Sequence, residues 1–237
     1  MANIALLIAG GSGNRMGQSI PKQFLTVNER PVIVYTLEIF QKHPEIDSIA
    51  VVCIKGWEFV LQAYINQFNI TKVKHIIPGG KNGQESIRNG VYELEKYYSP
   101  NDIVFIHDAI RPMVSADIIS DCIRVTREKG NAITVIPCAE AIIQTEDGNV
   151  SVGSYPRNHL RRTQTPQGFF IGDICNLHRR ALEAGVTDSV ASCTLKIEMG
   201  EQVYFSMGSE KNIKLTTVED IDIFKALLAE KRSDWLK

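Results

Sequence analysis

Short apolar runs rich in β-branched residues alternate along the chain with longer stretches of helical spacing. Asn3–Ala9, Ser48–Ile54, Lys72–Ile77, Asp102–His107 and Ala132–Pro137 predict strands. Several are apolar at successive positions, as a parallel sheet covered by helices on both faces requires. Between them, Pro31–His43, Gly56–Gln67, Gln84–Lys96 and Ser115–Lys129 have helical length and periodicity. Pro31 suits a first helical position, where its missing N–H costs little. Further on, Ile174–Ala184 and Ser189–Met199 read as helices, Gln202–Met207 and Ile213–Thr216 as strands, and Val218–Arg232 as a closing helix. Strand–helix alternation of this kind predicts an α/β fold with a doubly wound, mostly parallel sheet and ligands at the carboxyl ends of its strands.

One segment breaks the rhythm. Within Cys138–Asn158, the turn signal Glu146-Asp147-Gly148-Asn149 lies between Ala141-Ile142-Ile143 and Val150–Val152, which predicts a β-hairpin inserted between core elements. A lone two-stranded hairpin is barely stable in water, so it is expected to pack on something, a partner subunit being the cheapest candidate. With no internal repeat or linker in view, residues 1–237 are expected to form one domain with a protruding β-arm at about 138–158.

Composition narrows the function. Twenty-six Lys+Arg stand against 27 Asp+Glu, so there is no cationic surplus for wrapping nucleic acid or coating an anionic membrane. An anionic ligand must be met by local clustering of cations. No apolar run approaches the roughly 18 residues of a membrane span, and the apolar Ile4–Ala9 run has no basic segment before it, unlike a signal peptide. Five widely spaced cysteines without a C-x-x-C pair fit buried thiols in a reducing cytoplasm better than disulfides or a cysteine-based zinc site.

The strongest chemical signal is Ala9-Gly10-Gly11-Ser12-Gly13-Asn14-Arg15-Met16-Gly17 followed by Pro21-Lys22-Gln23. It follows a predicted strand, where backbone N–H groups of a glycine-rich turn can close around phosphate oxygens. Met16 occupies the place of the third glycine of the dinucleotide fingerprint, which argues against a nicotinamide-dependent oxidoreductase, and no Gly-Lys-Ser/Thr completes a Walker loop. The loop instead carries Arg15, with Lys22 just beyond. Gly79-Gly80 through Glu85-Ser86 opens a helix after a strand, and His107-Asp108-Ala109-Ile110-Arg111-Pro112 closes a strand at its ligand-binding end. Arg157-Asn158 and Arg161-Arg162-Thr163-Gln164-Thr165-Pro166-Gln167 supply cations and hydroxyls suited either to a solvated face or to a phosphate clamp. Lys214 alternates with Ile213 and Leu215, which predicts a strand position of fixed direction.

In combination these residues resemble the cytidylyltransferases that act on 2-C-methyl-D-erythritol 4-phosphate and on ribitol 5-phosphate. The resemblance runs from near residue 3 to near residue 228, through the motifs at Ala9–Leu25, Gly79–Ile87, His107–Pro112, Gln164–Phe169, Thr187-Asp188 and Asn212–Thr216. It implies a Rossmann-like nucleotidyltransferase sandwich, homodimers interlocked through the arm, and transfer of CMP from CTP to a polyol phosphate with release of pyrophosphate. It further implies Mg²⁺ held mainly by the CTP phosphates. By the same resemblance Arg15 and Lys22 correspond to transition-state stabilisers, and Arg157 and Lys214 to residues holding the substrate phosphate. Ala9, Gly10, Gly11, Ser12 and Gly13 with Gly80 and Ser86 correspond to cytosine and CTP contacts. Asp108, Arg111 and Thr165 correspond to positions lining the ribose and polyol side.

Two departures bear on the substrate. Where the erythritol-phosphate enzymes typically carry Asp-Thr-Ile-Lys at the start of the arm, this chain has Glu140-Ala141-Ile142-Ile143, and where they often have Leu-Trp before the Gln-Thr-Pro-Gln motif it has Leu160-Arg161. The ribitol-phosphate enzymes often have an aliphatic residue in place of that lysine, and Arg-Asn where Arg157-Asn158 stand. A ribitol phosphate or similar linear polyol phosphate is therefore the expected acceptor, with 2-C-methyl-D-erythritol 4-phosphate of isoprenoid biosynthesis as the alternative. A non-catalytic nucleotide-binding module is the alternative of another class. Gly83 stands where family members often have Arg, so one triphosphate contact is expected to be missing.

Overall fold

The computed structural model describes residues 1–11 and 20–230. β1 (Asn3–Ala9) leads past a 3-10 turn (Lys22–Phe24) to the short pair β2 (Thr26–Val27) and β3 (Arg30–Pro31), then α1 (Val32–Lys42). β4 (Ser48–Cys53), α2 (Glu58–Gln67), β5 (Val73–Pro78), α3 (Gly83–Leu94), β6 (Ile103–Asp108), α4 (Ala116–Lys129) and β7 (Asn131–Pro137) follow in alternation. The arm strands β8 (Ile142–Gln144) and β9 (Gly153–Tyr155) precede β10 (Arg161–Phe170), α5 (Ile171–Glu183), α6 (Ser192–Glu198), β11 (Phe205–Met207) and α7 (Val218–Glu230).

Seven strands form one sheet in the order β11-β7-β10-β6-β1-β4-β5, parallel except for β10, which runs antiparallel to both neighbours. The alternation of strand side chains divides the interior. Ala5, Leu7 and Ala9 of β1 face one apolar layer with Leu37 and Phe40 of α1, Leu61 of α2 and Ile119 of α4. Ile4 and Leu6 face the other, with Val91 and Leu94 of α3 and Ile174 and Leu177 of α5. α3 lies so close to the sheet that a Cβ at Gly90 would sit 2.7 Å from Leu6 Cδ2. Local signals start and stop the helices: the Asn82 side chain accepts from Glu85 N at 2.8 Å, Ser115 caps α4, and Gly130 ends α4 at φ 89°.

Four expectations need correction. Pro31 caps α1 from outside rather than filling its first turn. Ile213–Thr216 is no strand: Leu215 N donates to Ile110 O at 2.9 Å, a single backbone bond that fixes the segment's direction without a ladder. Arg161–Gln167, which the sequence leaves as either a solvated face or a phosphate clamp, lies wholly within a ten-residue strand, because the register places it between β6 and β7. The arm's second strand is Gly153–Tyr155, not Val150–Val152, because Thr145, Asp147 and Ser151 side chains organise a longer loop between Gln144 and Gly153. Of Val218–Arg232, the last two residues lie outside the described residues. Among the described residues no helix is long and apolar enough to cross a membrane.

Candidate active site

β1 pairs with β6 on one side and β4 on the other, so the chain switches direction across the sheet at β1. Open α/β sheets bind ligands outside the carboxyl ends of strands at such a point. A cavity of about 640 Å³ lies there. The structure brings Ala9, Gly10, Gly11, Lys22, Gly80, Ser86, Asp108, Arg111, Thr165 and Lys214 to its walls. Ser12, Gly13 and Arg15 lie outside the described residues.

At the glycine-rich end, backbone rather than side chains forms the wall. Gly10 and Gly79 approach so closely that a Cβ on Gly79 would stand 3.3 Å from Gly10 Cα. Gly80 N donates to Ser86 Oγ at 3.0 Å, which leaves the serine's own hydrogen for an acceptor in the cavity. Gln23, a buried residue of this wall, donates from Nε2 to the carbonyls of Ala9 (2.8 Å) and Gly11 (3.1 Å). Those carbonyls are thereby held away from an incoming phosphate, and Lys22, next to Gln23, is carried to the cavity wall.

The opposite end is built on charge. Lys214 Nζ lies 3.1 Å from Asp108 Oδ1, and Arg111 Nε lies 2.9 Å from Asp108 Oδ2. Burial alone would raise the Asp108 carboxyl, but Lys214 and Arg111 outweigh it and hold the group below the usual carboxylate range. Arg111 Nη1 also donates to Asn212 O (2.8 Å), and the buried Asn212 Nδ2 donates to Thr165 O (2.9 Å) and Gln164 Oε1 (3.2 Å). β10 changes register against β7 between Thr163 and Gln167, and the residues accommodated there include Gln164 and Thr165 of the cavity wall.

Arg157 is not brought to this wall. It lies in a 3-10 turn at the base of the arm, where Nη1 donates to Ala139 O at 3.3 Å. Of Arg15, Lys22, Arg157 and Lys214, the described residues of one chain bring Lys22 and Lys214 to the cavity, while Arg15 lies outside the described residues. Gln23, His107 and Asn212 carry the site's internal order. The sequence shows them only as neighbours of charged residues, since a buried polar side chain declares its partner through tertiary contact.

Among the described residues no cluster of three or more His, Cys, Asp or Glu side chains could hold a metal. Asp108, the lining carboxylate, is engaged by two cations. Such a donor set fits a divalent ion that arrives on phosphates and waters, not one caged by protein. The five cysteines are free and buried, and burial pushes Cys53, Cys122 and Cys175 up to about 12, far from a reactive thiolate.

The profile of the 2-C-methyl-D-erythritol 4-phosphate cytidylyltransferase family matches residues 3–230. A ribitol-5-phosphate cytidylyltransferase of Lacticaseibacillus paracasei is 44% identical over 229 residues, covering 96% of this chain and 98% of the relative. A 2-C-methyl-D-erythritol 4-phosphate cytidylyltransferase of Clostridium botulinum is 38% identical over 230 residues, 95% of this chain and 97% of the relative. A crystal structure of 4-diphosphocytidyl-2C-methyl-D-erythritol synthase superposes with a TM-score of 0.79 at 26% identity, covering 96% and 98% of the two chains.

Proposed function

The chain belongs to the 2-C-methyl-D-erythritol 4-phosphate cytidylyltransferase family, and we propose that the acceptor it cytidylylates is ribitol 5-phosphate or a similar linear polyol phosphate. The reaction is transfer of CMP from CTP to a phosphate oxygen of the acceptor, with loss of pyrophosphate. The observation that carries the reading is one cavity with two chemically distinct ends: glycine backbone and Lys22 at one, and Lys214, Arg111 and Asp108 at the other. The Glu140–Ile143 run and Arg157-Asn158 favour ribitol over erythritol phosphate, as does the 44% identity to the Lacticaseibacillus enzyme.

The backbone of Ala9–Gly11 with Gly80 and Ser86 takes the nucleotide. Lys22, with Arg15, meets charge growing on the α-phosphoryl group. Lys214, with Arg157, holds the acceptor phosphate, whose dianion is already a nucleophile and needs no general base, and Arg111 lines the ribose and polyol side. Positioning and charge compensation therefore carry the catalysis. Mg²⁺, borne by the CTP phosphates, offsets part of the repulsion between a triphosphate and a phosphomonoester.

Residues 1–237 are read as a single cytidylyltransferase domain, supported by one continuous sheet, with the β-arm at about 138–158 as a homodimer contact. Ile143, Val150 and Val152 stand exposed on that arm, and a bare apolar hairpin of two strands is marginal alone. Arg157, at the arm's base and off its own chain's cavity wall, meets its expected role only if the arm presents it to a second copy. Free, buried cysteines support a cytoplasmic location.

The test is pyrophosphate release from CTP and Mg²⁺ with each polyol phosphate in turn. A higher kcat/KM with ribitol 5-phosphate is expected. A higher value with 2-C-methyl-D-erythritol 4-phosphate overturns the acceptor assignment, and silence with both from folded protein overturns the activity.

A further inference from the structure

We propose that His107 is a positioning residue that sets the polarity of the Thr165 hydroxyl, so that Thr165 accepts a hydrogen bond from a ligand hydroxyl and donates none to a phosphate. The inference rests on the cytidylyltransferase reading of the cavity and deepens it.

His107 is fully buried in β6, its ring inclined at 61° to that of Phe40 with 5.0 Å between centroids. Its Nε2 lies 3.3 Å from the backbone oxygen of Arg111, which can only accept, so Nε2 carries a hydrogen. Burial pushes the ring down to about 4, so it is neutral near pH 7 and has no second hydrogen. Nδ1 is then a lone-pair acceptor. Thr165 Oγ1 stands 3.0 Å from Nδ1 and directs its hydrogen there. The same oxygen accepts from Asp108 N at 3.1 Å. A hydroxyl has one donor and two acceptor sites, and one lone pair is left over for the cavity that Thr165 lines.

Beside it, the Asp108 carboxylate is also acceptor-only, held by Lys214 and Arg111. The corner formed by Thr165 and Asp108 thus offers oxygen lone pairs. An ionised phosphate oxygen has no hydrogen to give it and is directed instead to the cations. A hydroxyl fits. Two ligand hydroxyls have that chemistry, those of the polyol chain and those of the CTP ribose.

Two experiments test this. Nitrogen-15 NMR of the imidazole at pH 7 reads the tautomer directly, whether or not a variant folds: Nε2–H is expected, and Nδ1–H overturns the proposal. Steady-state kinetics then compare wild type with Thr165→Val and Thr165→Ser, using monodeoxy polyol phosphates in one arm and 2′- or 3′-deoxy-CTP in the other. One deoxy analogue is expected to lower wild-type kcat/KM about tenfold. In Thr165→Val that analogue and the parent should react equally within about twofold, and Thr165→Ser should restore the discrimination. The arm in which this happens identifies the hydroxyl as the polyol's or the ribose's. A tenfold penalty that persists in Thr165→Val, or no analogue separating the two proteins, overturns the proposal while leaving the activity standing. A wild type silent with every polyol phosphate overturns both.

Discussion

His178 offers a quantitative check on how this fold tolerates acid. It lies in α5 within the apolar layer shared with α3, 1% exposed, and neither ring nitrogen has a hydrogen-bond partner. Burial, with a smaller contribution from the Arg88 charge, pushes it from 6.5 down to about 4. The unfolded chain therefore binds a proton more readily than the folded one. Stability is complete above about pH 6.5 and falls as the pH drops towards 4. With those two values, the residue alone removes about 2 kcal/mol between pH 7 and pH 5. His107, pushed down to about 4 by its own burial, removes a similar amount.

Replacing His178 by Leu isolates its share, because His107 titrates alike in both proteins. At pH 7 the variant should gain about 1 kcal/mol, since it no longer buries an unsatisfied polar ring. At pH 5 the gap should widen to about 3 kcal/mol, the sum of that gain and the avoided protonation. Urea unfolding followed by circular dichroism at pH 7, 6 and 5 measures the gap. A gap that stays constant with pH refutes the linkage argument. A variant less stable than wild type at pH 7 shows that the imidazole nitrogens are satisfied in solution.

Other outcomes follow from packing and charge. Gly90→Ala places a Cβ 2.7 Å from Leu6 Cδ2 and 2.9 Å from Val52 Cγ2, so it should lower stability by about 1–3 kcal/mol; an unchanged thermal midpoint contradicts the close approach of α3. Lys22→Ala should lower kcat by about 100-fold or more while KM for CTP moves little; a change confined to KM makes Lys22 a binding residue only. The double variant Ile143→Asp, Val152→Asp should convert the proposed homodimer into a species of 26.5 kDa by light scattering, and a dimer that survives it rules out the arm as the contact.

The sequence was most legible where one element's own pattern decides its fate. β1 and β4 are apolar on both faces and lie inside the sheet. Asn82 and Ser115 start helices because their side chains reach the next turn. Legibility failed where a neighbour decides. Arg161–Phe170 reads as half polar with an internal proline, a poor strand by propensity, and becomes one because β6 and β7 both pair with it. Ile213–Thr216 has strand alternation but no ladder partner, so Leu215 is pinned by one bond to Ile110.

The cations divide the same way. Lys22 and Lys214 each stand next to a buried anchor, Gln23 for the first and Leu215 for the second, which fixes their direction from within the chain. Arg157 has no such anchor and stays with the arm. Charge type can be read one residue at a time, whereas the direction of a charge depends on what its buried neighbour holds. Thr165 carries that reasoning furthest, for its polarity is set by a histidine fifty-eight positions away, and no pattern within either segment encodes it.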